Sequence, residues 1–242
     1  MERPFYTAVR PLVDWLIRSG IKPNTITTLG TGLVLLSALA YGLGRIRLGG
    51  LLLLLSGVLD TLDGQVARGG AMVTKFGAFY DSTLDRVADG AVLGGLAIFF
   101  ARNHLHHLIP TWAGTPMVGV TLLGIIGTFL TSYTRARAES LGIDAKVGIM
   151  QRPERVTLLS APQAFFGLVF NGWVLIAIVL LLSVTAWITA IQRIAFVYHA
   201  TKDLPPEQLE SMRMARYTPD QSQVSIAGDG RPRKTFGGAA PR

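Results

Sequence analysis

The chain has 242 residues, half of them hydrophobic and only 16% charged, with a mean hydropathy of +0.41 and a formal net charge of +8. A soluble domain carries about 25% charged residues, so this composition describes an integral membrane protein and argues against a soluble basic domain that binds nucleic acid. Cysteine is absent, which removes disulfides and thiolate metal sites.

Residues 1–23 place Phe5, Val9, Leu12, Val13, Leu16 and Ile17 on one helical face, with Arg3, Arg10, Asp14 and Arg18 largely opposite. That pattern predicts an interfacial amphipathic helix beside the membrane, although a helix packed on protein would show it too, and Pro11 interrupts either. The segment lacks the continuous apolar core of a signal peptide. Six spans follow, near 25–44, 48–68, 77–101, 116–138, 154–171 and 173–198, each judged against the roughly 20 residues a helix needs to cross the hydrocarbon. The fifth is the shortest apolar run and contains Pro162 and Gln163. The predicted fold is therefore an all-α integral membrane protein with six transmembrane helices in a domain over residues 24–199. Residues 200–242, rich in Pro, Gly, Ser, Gln and charge, read as a disordered tail.

An even number of spans puts both termini on one side. The N-terminus, the 68–76 turn, the 135–155 region and the segment from Arg193 hold 19 of the 23 Lys and Arg residues. By the positive-inside rule these parts, and both termini, face the cytoplasm of a multi-pass cell-membrane protein.

Within this apolar chain stand four carboxylates, Asp60, Asp63, Asp81 and Asp85, near the cytoplasmic ends of the second and third spans. A charge at the centre of a membrane helix costs roughly 2.5–3.5 kcal/mol on insertion scales, so such groups usually line a cavity and mark a functional site. Positions 60, 63, 64 and 67 share one helical face, as do 81, 85 and the further Asp89. Two carboxylate pairs on antiparallel helices make an oxygen-rich site that favours Mg²⁺ or Mn²⁺ over zinc, and four carboxylates suit two ions about 4 Å apart. Gly64 and Gly77 leave room for close approach, and Arg68 supplies a phosphate-binding fork at the same end.

The run D-T-L-D-G-Q-V-A-R, eight residues, then G-A-F-Y-D-S-T-L-D resembles the signature of the CDP-alcohol phosphatidyltransferase family, D-x2-D-G-x2-A-R-x8-G-x3-D-x3-D. Its eight fixed positions are Asp60, Asp63, Gly64, Ala67, Arg68, Gly77, Asp81 and Asp85. At about 6% usage per residue type, a chance match somewhere in the chain is on the order of 10⁻⁸. The resemblance extends over roughly residues 1–200. It implies transfer of a phosphatidyl or related group from a CDP-linked donor, CDP-diacylglycerol, to an acceptor hydroxyl, with release of CMP. It also implies that Asp60, Asp63 and Asp81 are metal ligands, that Asp85 is both ligand and general base, and that the protein is a homodimer. The nucleotide site would draw on Gly64, Ala67, Arg68 and Thr74, with Pro23, Asn24 and Thr25 from the segment entering the first span. Those last three residues also read as a helix start.

The acceptor is read from arginines on the same side: Arg135, Arg137, Arg152, Arg155 and Arg193. A guanidinium fork matches phosphate oxygens, so the cluster points to a phosphorylated polyol, although positive-inside arginines also meet lipid headgroups. The segments S-Y-T-R-A-R-A-E and R-P-E-R, with Arg193, resemble the phosphatidylinositol phosphate synthase branch, whose acceptor is inositol 1-phosphate (myo-inositol 3-phosphate). Arg135 stands where closer members would have lysine. The alternative acceptor is glycerol 3-phosphate, giving phosphatidylglycerophosphate. A reading from another class is a cation transporter, whose sites however lie nearer the midplane within repeated halves. His104, His106 and His107 read as a solvated outer loop, and Gly90, Gly94 and Gly95 as a small-residue packing face, internal or between protomers.

Overall fold

The computed structural model describes residues 4–202, with side-chain surroundings from residue 10 onward, together with residue 205 and the pairs 225–226 and 232–233. Among the described residues eight α-helices carry the fold: α1 (Pro4–Arg18), α2 (Pro23–Gly42), α3 (Ile46–Gly69), α4 (Lys75–Ala101), the short α5 (Asn103–His106), α6 (Gly114–Glu139), α7 (Arg152–Phe166) and α8 (Trp173–Thr201). A 3₁₀ turn, Thr111–Ala113, leads into α6, and a two-residue antiparallel pair joins β1 (Ser225–Ile226) to β2 (Pro232–Arg233). The rest of the segment predicted as a tail lies outside the described residues.

Among the described residues three segments are long and apolar enough to cross a membrane: α2, Thr111–Glu139 and α8. Helices α3 and α4 have the length, at 24 and 27 residues, but carry the aspartates within them. The fifth predicted span ends early. Helix α7 stops at Phe166, and the chain turns through Gly167, Phe170, Asn171 and Gly172, all at positive φ, before α8 begins. With 15 residues it is about 22 Å long at 1.5 Å per residue.

Six helices close into a ring in the order α3, α2, α4, α6, α8, α7 and back to α3, while α1 lies against α3. Val13 of α1 is buried with Ile26, Leu62 and Val66. Lipid is as apolar as a leucine side chain, so burial alone does not hold such helices together; close packing and interhelical hydrogen bonds do. A Cβ added at Gly95 of α4 would strike the Ala38 carbonyl of α2, and one at Gly50 of α3 would strike the Ala164 backbone of α7. Hydroxyls stitch the same seams: Ser37 donates to the Gly49 carbonyl at 2.7 Å, Tyr41 to Leu159 at 3.3 Å and Thr131 to Ala186 at 2.9 Å. Trp187 Nε1 donates to the Leu123 carbonyl at 2.9 Å.

The predicted glycine face of α4 divides three ways. Gly95 is internal against α2, Gly90 meets the Phe129 ring of α6, and Gly94 faces nothing within 4 Å. At the end opposite the aspartates, His104 and His107 are exposed, whereas His106 stacks on Phe99 with ring centroids 5.1 Å apart. The histidine segment is thus part helix and part packing surface, and only in part a solvated loop. Overpacking typically costs about 1–3 kcal/mol, so Gly95→Val should lower the thermal midpoint of the detergent-solubilised protein, whereas Gly94→Ala should leave it unchanged or raise it. Thermal unfolding of the two variants checks this, and equal effects would contradict the packing described.

Candidate active site

The loop between α3 and α4 folds the two aspartate segments against each other. Thr74 ends that loop as the N-cap of α4, its hydroxyl accepting from the Gly77 amide at 2.9 Å. Helix α2 begins beside it, with Pro23 in its first turn and no side-chain cap. A Cβ on Gly77 would crowd Thr74 Oγ1 and Asn24 Oδ1, and one on Gly64 would meet the Arg68 guanidinium at 3.3 Å. Both signature glycines therefore sit where polar groups of the predicted donor site close in. Ala67 is half-buried, and Thr25 and Arg68 are exposed at the same end.

An oxygen from each of Asp60, Asp63 and Asp81 lies within 4.8 Å of the others. Oxygens around an ion at about 2.1 Å sit roughly 3–4 Å apart, so an all-carboxylate set with this spread fits a hard divalent cation. Asp63 is 7% exposed, and its Oδ2 accepts from the Thr27 hydroxyl at 2.6 Å. That bond fixes the carboxylate's rotamer from the neighbouring helix. Asp85 stands one turn further into the bundle along α4, outside that trio.

The partner of Asp85 comes from α7. The Q-R-P-E run starts this helix as a reciprocal cap: the Gln151 side chain takes the backbone of Glu154, and the Glu154 carboxylate accepts from the Gln151 amide at 2.9 Å. Arg152 and Arg155 then fall one turn apart on one face. Positive charge at a helix N-terminus opposes the backbone dipole, so these arginines gain nothing from their own helix and depend on the carboxylates facing them. Arg152 Nη2 lies 2.9 Å from Asp85 Oδ1, Nη1 lies 3.3 Å from Asp60 Oδ1, and Nε lies 3.6 Å from Asp89 Oδ1. Arg86 adds a longer pair to Asp85 at 3.7 Å.

A cavity of about 280 Å³ opens beneath this cluster on the axis of the ring, with walls from all six helices. Asp60, Asp63, Asp85, Asp89, Arg152 and Arg155 occupy its charged end, and Thr128, Ser160 and Ser183 reach its deeper wall. Of the five arginines predicted to hold an acceptor phosphate, Arg152 and Arg155 line this cavity. Arg193 lies close by within the field of Arg155, Arg86 and Arg135, but it is engaged with backbone carbonyls, donating to Val147 at 2.8 Å and to Thr131. Arg135 pairs with Glu139 at 2.9 Å on the exposed end of α6, and Arg137 is exposed beside it. Sequence reasoning missed Thr27 and the involvement of Arg86 and left Asp89 without a role. Asp89 was detectable from its spacing with Asp85; nothing in the sequence marks Thr27 as the partner of Asp63.

Residues 21–198 match the family model described as CDP-alcohol phosphatidyltransferase. Among curated relatives, the phosphatidylinositol phosphate synthase of Mycobacteroides abscessus is 36% identical over 202 residues, covering 83% of this chain and 86% of that protein. The archaetidylinositol phosphate synthase of Methanothermobacter thermautotrophicus is 33% identical over 203 residues, covering 84% of this chain and 96% of that one. Among solved structures, Mycobacterium tuberculosis phosphatidylinositol phosphate synthase with CDP-DAG bound superposes with a TM-score of 0.67 at 32% identity, covering 78% of this chain and 92% of that chain. A crystal structure of the same enzyme in complex with manganese and citrate matches with the same score and identity, over 88% of its chain. The match sets the transporter reading aside. With the signature filled at every position and a carboxylate trio suited to a divalent cation, the chain is a membrane enzyme of the CDP-alcohol phosphatidyltransferase family.

Proposed function

We propose that this enzyme is a phosphatidylinositol phosphate synthase, moving a phosphatidyl group from CDP-diacylglycerol to the hydroxyl of inositol 1-phosphate (myo-inositol 3-phosphate) and releasing CMP. The observation that carries the proposal is the meeting of Arg152 and Arg155 with the signature aspartates in one cavity. Arg152 also balances the aspartates, but the buried Nε of Arg155 has no hydrogen-bond partner among the described residues, and a dianionic phosphate would use that fork where an uncharged acceptor would not. Relatives named for two different lipids, phosphatidyl and archaetidyl, share the inositol phosphate headgroup, and this supports the same acceptor here over glycerol 3-phosphate.

In this reading Asp60, Asp63, Asp81 and Asp85 would hold two Mg²⁺ ions, or Mn²⁺ in their place, which would supply positive charge to offset the diphosphate and the charge gathering on departing CMP. Gly64, Ala67, Arg68, Thr74, Pro23, Asn24 and Thr25 hold the CDP part of the donor, and Arg68 lies over Gly64 at the mouth of that site. Arg152 and Arg155 fix the acceptor phosphate, with Arg193, Arg135 and Arg137 adding positive potential at the same end. Asp85 takes the proton of the attacking hydroxyl. The acceptor oxygen forms its bond to the phosphorus carrying diacylglycerol as the bond from that phosphorus to the CMP oxygen breaks, so CMP leaves with the electron pair. Water competes for the same phosphorus, and a site enclosed by six helices restricts it to the polar end of the cavity.

The membrane arrangement belongs to the same reading: α2, α3, α4, α6, α7 and α8 span the bilayer, α1 lies in its interface, and both termini and the site face the cytoplasm. The chain works as a homodimer.

Three outcomes test the proposal. Purified enzyme with Mg²⁺ and CDP-diacylglycerol should release CMP with inositol 1-phosphate but not with free inositol, serine or glycerol 3-phosphate. Turnover on glycerol 3-phosphate alone would overturn the acceptor assignment. Asp85→Asn should lower kcat by about 10²–10⁴-fold, the usual contribution of a positioned general base, in protein that still purifies folded by circular dichroism. Chelation by EDTA should abolish activity, and added Mg²⁺ or Mn²⁺ should restore it; activity that survives chelation would refute the metal assignment.

A further inference from the structure

Asp89 lies outside the eight-position signature, and the mechanism above gives it no task. It nevertheless lines the cavity, its side chain is 14% exposed, and its Oδ2 is buried without a hydrogen-bond partner among the described residues. Its Oδ1 faces Arg152 Nε at 3.6 Å. A buried carboxylate oxygen left unpaired is costly, so its retention in this position calls for a physical reason.

Arg152 supplies one. It touches three carboxylates at once, and two of them, Asp60 and Asp85, belong to the proposed metal set. A divalent cation and the guanidinium therefore compete for the same oxygens. Asp89 does not take part in that contest, because it stands a further turn along α4. If Arg152 gives up Asp60 and Asp85, its Nε and Nη2 edge can turn onto both oxygens of Asp89 in a side-on bidentate pair, which gives Oδ2 the partner it lacks. The Nη1 end of the fork then points into the cavity.

We propose that Asp89 is a positioning residue for Arg152: it draws the guanidinium off the metal-binding carboxylates and sets the fork toward the acceptor phosphate. The acceptor half of this inference rests on the acceptor proposed above, and the metal half on the aspartate metal set proposed there.

The experiment is a double-mutant cycle read by Mn²⁺ binding to the full-length protein, by electron paramagnetic resonance or calorimetry, without substrates. Arg152→Gln should tighten Mn²⁺ binding by about fivefold or more, because a competing cation is gone. Asp89→Asn should weaken it by a similar factor, because Arg152 stays on Asp60 and Asp85. Simple loss of a nearby negative charge would also weaken binding, so the double variant decides. Binding in Asp89→Asn/Arg152→Gln that equals Arg152→Gln supports the proposal, since Asp89 then acts through Arg152; an Asp89→Asn effect that persists in the Arg152→Gln background overturns it. Kinetics supply the second arm. Asp89→Asn should raise KM for inositol 1-phosphate about tenfold while KM for CDP-diacylglycerol is unchanged, and Asp89→Glu should restore most of the loss. An equal rise in both KM values, or no rescue by glutamate, counts against positioning. Should the wild type turn over only glycerol 3-phosphate, the binding cycle still stands or falls by itself, and only the acceptor reading is lost.

Discussion

The structure depends on holding five carboxylates together, Asp60 exposed and the other four partly or fully buried, at one end of a bundle whose outer face meets lipid. Desolvation of a single unpaired carboxylate costs several kcal/mol even after relaxation, and here five come together from α3 and α4, which flank α2 in the ring. Arg152 meets the largest part of that constraint, because a single guanidinium bridges Asp60, Asp85 and Asp89. Thr27 meets another part through its bond to Asp63. Both partners come from other helices, so the charge cluster ties α2, α3, α4 and α7 together at one end. The seams further along are held differently, by glycine contacts and hydroxyl-to-carbonyl bonds. Stability at the far end thus rests on packing, whereas stability at the site end rests on ions that the reaction itself must rearrange.

Much of this was legible in the sequence, and the reasons are specific. The aspartates could be placed because their spacing follows the helical period on two adjacent segments, and period survives without any knowledge of tertiary structure. Helices α2, α6 and α8 could be placed because their apolar runs are long and nearly free of charge. The end of α7 was not. Its apolar residues continue through Leu168, Val169 and Phe170 into Trp173, so hydropathy hides the turn that Gly167 and the Asn171–Gly172 pair produce at positive φ. The arginine set was legible as a charge cluster but not as a geometry. Residues 60 and 152 are 92 positions apart, and no local pattern says that Arg152 meets the aspartates while Arg135 meets Glu139 on its own helix.

The start of α7 shows how local rules position distant chemistry. Gln151 and Glu154 cap the helix with a backbone-level bond, and Pro153 fixes the first turn, so the rotational phase of α7 is set before any tertiary contact forms. Arg152 and Arg155 inherit that phase. A one-residue slip in the cap would turn both by about 100°, out of the cavity. Bringing the guanidinium to the carboxylates is therefore a matter of helix initiation as much as of charge attraction.

The direction of the six ring helices carries a consequence for the field at the site. Helices α2, α4 and α7 present their N-termini there, and α3, α6 and α8 their C-termini. Three partial positive and three partial negative backbone poles, each about half an elementary charge, surround the cavity mouth and cancel to first order. The fold itself is thus close to electrically silent at its own active site. Whatever potential a diphosphate or a sugar phosphate meets on arrival is written almost wholly in side chains, and so evolution can retune the acceptor by exchanging single residues on an unchanged scaffold.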